Sequence, residues 1–491
     1  MLKARWIGLL AAFVLLGFIG SLLLRLLLSP IDSFLVTLLL LLSAPALVLF
    51  ARGFSQGTRN LGEFRRNLTW WHGLWLVLFL SEIFLRVRDV HDIRETAVDA
   101  EAAYRIVLVG MTALVLLVRL AFRQSAWLGS LFRGLVGAMT LYALFSATST
   151  IWSVYPAWTL YKSGEYLVDL ALLAAILGVV RSTETYKTLF DWTYTLYGLL
   201  LSSVWLGVLL WPKLALVRTP GLLPVRLYGV LALMDANTIG ECAAILAVAG
   251  LTRALLRPSE ESANRAWYWL LFLASFATLV LSQTRTALAG LLFALAVVLL
   301  LSRRKGAAKA FIAVGMLLPL THAAQFLWEY VRRGQSEQLW TSLSGRVNFW
   351  RYGWEKFLDR PWTGYGAYAG RFVVLEPLGA TVTSTLHNSY MEMLVGVGIL
   401  GLLPVLAALL GAWWLLVRAS RDPSLGPFER QMAIEAVGVL AILTVRSFFS
   451  TTLIWHPALF FLLVLGYAEF LRRQRSAEAT VALQSELQTA E

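Results

Sequence analysis

Long apolar runs almost free of charge recur along this chain and leave it few ways to fold. The stretches 6–24, 33–50, 287–301 and 399–417 are the clearest. A helix crosses about 30 Å of hydrocarbon with about 20 such residues. In lipid every backbone N–H and C=O must find its partner within the chain, so such runs read as helices. Of the 491 residues 58% are hydrophobic and 14% charged, against about 25% charged in an ordinary soluble chain. One soluble core could not hide so many apolar runs.

The expected fold is an all-α polytopic integral membrane protein with about 12–14 transmembrane helices. Expected spans fall near 6–28, 32–51, 68–85, 102–120, 135–151, 166–180, 193–211, 228–251, 267–284, 286–302, 309–327, 389–417, 432–449 and 454–471. Placing the N-terminus inside gives the cytoplasmic loops most of the arginines, as the positive-inside rule requires. Arg303, Arg304, Lys305 and Lys309 form one such group, and Arg472, Arg473 and Arg475 another. The stretches 86–101 and 153–165 then lie outside, and in the second Lys162 and Glu165 cancel. The N-terminus (Lys3 and Arg5 before an apolar run, with no small-residue cleavage site after it) reads as an uncleaved first span.

The chain divides into N-terminal transmembrane helices (1–200), central helices with an arginine-bearing outer edge (201–326), a long periplasmic loop (327–388), C-terminal helices (389–471) and a polar cytoplasmic tail (472–491). The formal net charge of +13 is spread over short loops, so it reads as topology and not as a nucleic-acid surface. A lone Cys242 excludes an internal disulfide framework and a cysteine zinc site. Neither a P-loop nor a Rossmann context is present, and Gly364-Tyr365-Gly366 is too short for a nucleotide loop, so a cytoplasmic ATPase is excluded. No Asp/Glu pair suggests a metal, and no cofactor is implied.

The segment between Phe326 and Asn388 has a different texture, charged and aromatic with Gly and Pro. Loops of such length are functional or disordered. Trp340, Phe349, Trp350, Trp354, Phe357 and Trp362 at near-helical spacing carry too much apolar material for disorder, so short amphipathic helices across the outer face are expected. Arg346-Val-Asn-Phe-Trp350 begins a helix that Pro361 stops, with Gly364 and Gly366 making the turn after it.

His387 ends this loop directly before a span. A histidine at a membrane–water boundary can exchange protons near neutral pH, as a general base must; it can equally be a loop residue anchoring a helix. Arg226, Arg285 and Arg346 fall on the outer side, against the positive-inside trend. Arginine's planar donor fork suits phosphate, although arginines at span ends also snorkel to the interface.

In order along the chain, the pieces are Arg226-Leu-Tyr-Gly229, Asp235-Ala-Asn237, Ser282-Gln-Thr-Arg285, Ser344-Gly-Arg346, Asp359-Arg-Pro361-Trp-Thr-Gly364-Tyr-Gly366 and His387-Asn388-Ser-Tyr390-Met-Glu392-Met-Leu-Val-Gly-Val-Gly398-Ile-Leu-Gly401. Over residues 220–410 this succession resembles the O-antigen ligase and O-antigen polymerase superfamily of bacterial envelope polysaccharide enzymes. It departs from that pattern where Gln283 and Thr284 separate Ser282 from Arg285. The resemblance implies a GT-C-like, metal-independent, inverting glycosyltransferase of the bacterial inner membrane, with its active site facing the periplasm. The implied donor is an undecaprenyl-pyrophosphate-linked glycan. The implied acceptor is lipid A–core for a ligase, or a second lipid-linked repeat unit for a polymerase. His387 would then be the catalytic base, and Arg285, Arg346 and Arg226 would hold the pyrophosphate, with Asn388 and Tyr390 in support. A flippase for lipid-linked sugars is the more distant reading. The hydrophobic pattern shows no internal two-fold repeat to favour it, and the polar residues gather at the outer edge instead of the midplane.

Overall fold

The structure is a computed structural model that describes residues 67–83, 90–96, 98–122, 127–256, 265–302, 304–318, 321, 323–379 and 383–490. The expected spans 6–28 and 32–51 and residue His322 lie outside the described residues. The rest is 76% helical with almost no sheet. Among the described residues six helices are long and apolar enough to cross a membrane. The chain is an all-α polytopic membrane protein.

The helices in chain order are α1 (Trp70–Ser81), α2 (Ala100–Ala121), α3 (Gly134–Thr148), α4 (Pro156–Val179) and α5 (Thr183–Leu210). A small hairpin follows, β1 (Leu216–Arg218) and β2 (Val225–Leu227), and then α6 (Ala236–Leu256), α7 (Arg265–Ser282), α8 (Arg285–Leu301) and α9 (Lys305–Leu317). The loop segment carries α10 (Ala323–Arg332) and α11 (Arg346–Asp359), before α12 (Ser389–Arg421), α13 (Pro427–Ser447) and α14 (Leu459–Ala490).

The core gathers on α6, where Gly240, Cys242, Ala243, Ala244, Ala247, Ala249 and Gly250 carry little side-chain bulk. Small residues let backbones approach closely, which is how helices associate in lipid. A Cβ on Gly250 would stand 2.9 Å from the backbone of Tyr268 and Phe272 on α7. On α13, Gly438 likewise meets Val248 and Val298. Away from the hairpin the bundle is pinned by Arg253, which grips Glu435 at 2.8 Å through two nitrogens and Asp191 at 2.5 Å. That joins α5, α6 and α13 by a paired, buried charge, the form in which burial is tolerated.

Three boundaries differ from the sequence expectation. Helix α4 begins ten residues before the expected start, at Pro156, a favoured first helical position. Lys162 and Glu165 therefore lie on a helix and pair at 2.6 Å with 2% exposure each, instead of cancelling in an outside loop. The expected span 309–327 breaks after Leu317, and α10 starts afresh at Ala323. The tail, expected as a polar extension, continues α14 to Ala490.

Helix α12 is discontinuous. Gly398 has φ +63° and ψ −164°, so the N–H and C=O groups around it lose their helical partners. The turn after α11 supplies replacements. Tyr365 N donates to Val395 O (2.9 Å) and Gly366 N to Gly396 O (2.8 Å), while Ile399 N donates to Pro361 O (2.9 Å) and Leu400 N to Trp362 O (3.3 Å). Unsatisfied backbone in lipid costs several kcal/mol per group, and non-helical backbone at that depth persists only where protein covers it. In this strap, residues 361–366, Gly364 (φ +62°) is required because it runs against the α12 backbone at Val395 and Gly396, and Gly366 (φ +103°) because a Cβ there would strike Ser153 between α3 and α4.

Replacing Gly398 by valine would drive a Cβ into the Pro361–Trp362 backbone at a φ that side chains resist. The variant is expected to lose about 3 kcal/mol or more of stability. Gly110→Ala, on α2 with open space around it, should stay within about 1 kcal/mol of the wild type. Thermal unfolding in detergent, followed by size-exclusion profile, distinguishes the two.

Candidate active site

At the end of the bundle where α7 turns into α8, the hairpin, the loop segment and the starts of α6 and α12 converge. In the hairpin Leu216 pairs with Leu227, Val217 with Arg226 and Arg218 with Val225. Its outer turn closes with Thr219 N donating to Pro224 O at 3.0 Å. The α7–α8 corner holds the hairpin down. Gln283, at φ +50°, donates through Nε2 to Thr219 Oγ1, Leu223 O and Val225 O. Thr284 Oγ1 donates to Ala236 O at 2.6 Å, and Ser282 is buried against Gly240 with its hydroxyl bonded to Leu279 O. The two residues inserted between Ser282 and Arg285 are thus fasteners, and Ser282 faces the helix packing instead of the site.

The structure brings together all three arginines singled out in the sequence and adds two more. Arg226 donates to Ser282 O (3.0 Å), with Tyr228 Oη and Asn237 Oδ1 at 3.4 and 3.5 Å. Arg285 donates to Val331 O (3.2 Å) and stacks 4.9 Å from the Trp340 ring centre. Arg333 donates to Gln283 O (3.3 Å), and its buried Nε has no hydrogen-bond partner. Arg346, the first residue of α11, donates to Phe449 O (3.2 Å). Among the described residues no carboxylate lies within 4.0 Å of any of these four guanidinium groups. Only Arg446, on the last turn of α13 and 3% exposed, is paired, with Glu241 Oε2 at 2.9 Å and Thr286 Oγ1 at 2.6 Å.

Four half-buried cations without anions raise one another's energy. Burial and then the charges of Arg285 and Arg226 lower the Arg333 pKa to about 10. Burial, then Arg446 and Arg285, lower that of Arg346 to about 10 against the opposing pull of Asp235. Chemically, such an arrangement can receive an anion, since an entering phosphate would relieve repulsion already present.

His387 faces this group. Its Nε2 lies 3.0 Å from Thr383 Oγ1 and its Nδ1 3.4 Å from Thr385 Oγ1. Burial, and after it the Arg346 charge, lower its pKa to about 4, so the imidazole is neutral at pH 7. Asn388 caps α12, its Oδ1 accepting from Tyr390 N (2.9 Å) and Met391 N (3.0 Å), while Tyr390 Oη accepts from Ser447 Oγ at 2.9 Å. These two residues position the start of α12; neither is bonded to the arginines. Six described non-glycine residues have positive φ, and Gln283, Arg333, Leu343, Ser344 and His387 lie within three positions of Arg285, Arg333, Arg346 or His387 or are those residues. Such strain persists where surrounding structure over-determines it, and it collects at functional sites.

Sequence reasoning missed Arg333 and Arg446. Arg446 carried a signal, since a charge inside an apolar span with Glu241 inside another predicts a pair. Arg333 carried none, because its loop reaches the corner only through contacts distant in sequence: Tyr330 Oη donates to Val280 O, and Pro220 and Gly221 of the hairpin turn pack against Arg333 and Gly334. A second histidine has triad-like contacts without a site: His456 lies 2.8 Å from Asp169 and 2.9 Å from Ser81 Oγ. All three are buried and the Ser81 hydroxyl donates to Leu78 O, so they fasten α1, α4 and the start of α14.

Residues 270–406 match the family model described as O-antigen ligase. The matched segment contains Arg285, Arg333, Arg346 and His387, and both signature strings of the strap and of α12. Over that segment the match supports a likeness to the O-antigen ligase and polymerase superfamily. No curated protein matches the chain.

Inorganic pyrophosphate should therefore raise the melting temperature of the detergent-solubilised protein. Arg333→Gln should weaken that binding about tenfold or more, since a charge-assisted hydrogen bond contributes about 1.5–3 kcal/mol. Titration of the thermal shift in both proteins measures it.

Proposed function

We propose that the protein is a glycosyltransferase of the bacterial inner membrane. In this reading it moves a glycan from an undecaprenyl-pyrophosphate donor to a hydroxyl of an acceptor sugar, lipid A–core, at the periplasmic face. The observation that supports it is the convergence, on a neutral histidine, of four guanidinium groups without carboxylate partners among the described residues, three of the four and the histidine lying within the O-antigen ligase segment. Arg226, Arg285, Arg333 and Arg346 hold the pyrophosphate and take up the charge that grows on it as the bond to the sugar breaks. Preorganised donors of this kind supply much of the rate in such reactions. The donor set is guanidinium instead of carboxylate, so phosphate charge is compensated without a metal ion.

Thr383 donates its hydroxyl hydrogen to Thr385 O and so accepts from His387 Nε2–H. That leaves the lone pair on Nδ1, where the long contact to Thr385 Oγ1 at 3.4 Å gives way to the acceptor hydroxyl. His387 Nδ1 takes the proton of the acceptor hydroxyl as its oxygen attacks the anomeric carbon. The anomeric C–O bond to phosphate breaks, its electron pair leaves on the pyrophosphate, and the configuration inverts. The leaving group departs ionised and needs no general acid. An imidazole with a pKa of about 4 is a weak base in the empty site. The bound pyrophosphate cancels the field of Arg346 and its neighbours, so the donor itself raises the basicity of His387.

Two results test this. With purified donor and lipid A–core, His387→Ala should lower kcat at least 100-fold; an unchanged rate overturns the assignment, and transfer only to a second lipid-linked repeat unit replaces ligase by polymerase. The acid limb of kcat/KM, which reports the free enzyme, should fall near pH 4, whereas the limb of kcat should fall at higher pH.

A further inference from the structure

Resting on the role proposed for His387, we infer that Glu392, Arg371 and Trp350 form a clamp that holds the His387 backbone in its left-handed conformation and so aims the imidazole. The residue gripped is Leu386, next to His387 and fully buried. Its N–H donates to Glu392 Oε1 at 2.7 Å and its carbonyl accepts from Trp350 Nε1 at 2.9 Å. The two peptide groups flanking Leu386 are thus bonded, one to the first turn of α12 and the other, which leads into His387, to α11. His387 follows with φ +52°, a conformation that costs free energy unless its surroundings enforce it.

Arg371 completes the clamp from just beyond the strap. It is 1% exposed, pairs with Glu392 Oε2 at 3.2 Å, donates to Ser384 O at 2.8 Å and lies 4.6 Å from the Trp455 ring centre. The carboxylate is therefore divided: one oxygen neutralises Arg371 and the other holds the Leu386 amide. A buried carboxylate that served only as a counter-ion would not need the second contact. Because Arg371 follows directly on the strap that caps the Gly398 break, the position of the base is tied to the docking of the strap on α12. None of the three clamp residues contacts Arg226, Arg285, Arg333 or Arg346 through a hydrogen bond among the described residues, so binding of the donor phosphates and aim of the base are separable. These are positioning residues.

The test measures kcat, donor KM and binding of undecaprenyl pyrophosphate in the full-length protein. Glu392→Ala should lower kcat about 100-fold, the scale of an ångström-sized misplacement, with undecaprenyl pyrophosphate binding within twofold of wild type. Glu392→Gln, which keeps an acceptor for Leu386 N–H, should recover most of that loss. Trp350→Phe, which removes only the bond to Leu386 O, should lower kcat about tenfold. In a His387→Ala background Glu392→Ala and Trp350→Phe should have no further effect, since residues acting through one group are not additive. The clamp is overturned if the Glu392 and Trp350 variants keep wild-type kcat, if pyrophosphate binding falls in parallel with kcat, or if their effects persist in full without His387. Failure of the underlying reading looks different: if the protein is no glycosyltransferase the wild type forms no transfer product, and if His387 is not the base His387→Ala leaves the rate intact whatever the clamp variants do.

Discussion

The break in α12 at Gly398 governs the arrangement of the site. A helix interrupted within its apolar run exposes amide and carbonyl groups that lipid cannot satisfy. Four hydrogen bonds from residues 361–366 satisfy them. That requirement draws the strap down onto the bundle and fixes α11 above it. The same strap is bonded to the α3–α4 corner, where Val154 N donates to Tyr365 O and Trp152 Nε1 to Thr363 O. The signature strings around Pro361 and around His387 are therefore two halves of one structural unit. Their joint appearance follows from backbone accounting, before any chemistry is considered.

Charge is handled in opposite ways at the two ends of the bundle. Arg253 is enclosed by Glu435 and Asp191, and Arg472 and Arg473 share Glu469, so those cations are neutralised within the fold. At the strap end Arg226, Arg285, Arg333 and Arg346 are steadied by backbone carbonyls, which orient a guanidinium without cancelling its charge. Stability alone would favour pairing them. Left unpaired, they repel one another, and in the proposed reading an anionic substrate relieves that repulsion; their charge, after burial, also keeps the basicity of His387 low while no anion is bound.

Much of this was legible in the sequence, for identifiable reasons. Spans are written in long apolar runs, and the lone cations that interrupt the outer edge stand out against them, so Arg226, Arg285, Arg346 and His387 could be selected before any coordinates. The helix ending before Pro361 and the turn at Gly364 and Gly366 were readable because Pro and Gly restrict or free the backbone locally. The hairpin was not readable, since three-residue strands leave no periodicity and Arg226 owes its place to pairing with Val217. Arg333 reaches the site only through contacts distant in sequence. Lys162 and Glu165 were read as loop charges because a buried ion pair one helical turn apart has the same composition as an exposed one. The Glu392 contact to Leu386 depends on a conformation of His387 that no local residue preference dictates.

The most direct measurement is the position of the pyrophosphate itself. A cryo-electron microscopy structure of the protein in lipid nanodiscs with undecaprenyl pyrophosphate should show both phosphates within hydrogen-bond reach of Arg285, Arg333 and Arg346, with the sugar-side oxygen facing His387. Phosphates bound at the opposite, Arg253-bearing end, or in a cavity midway along the helices, would contradict it.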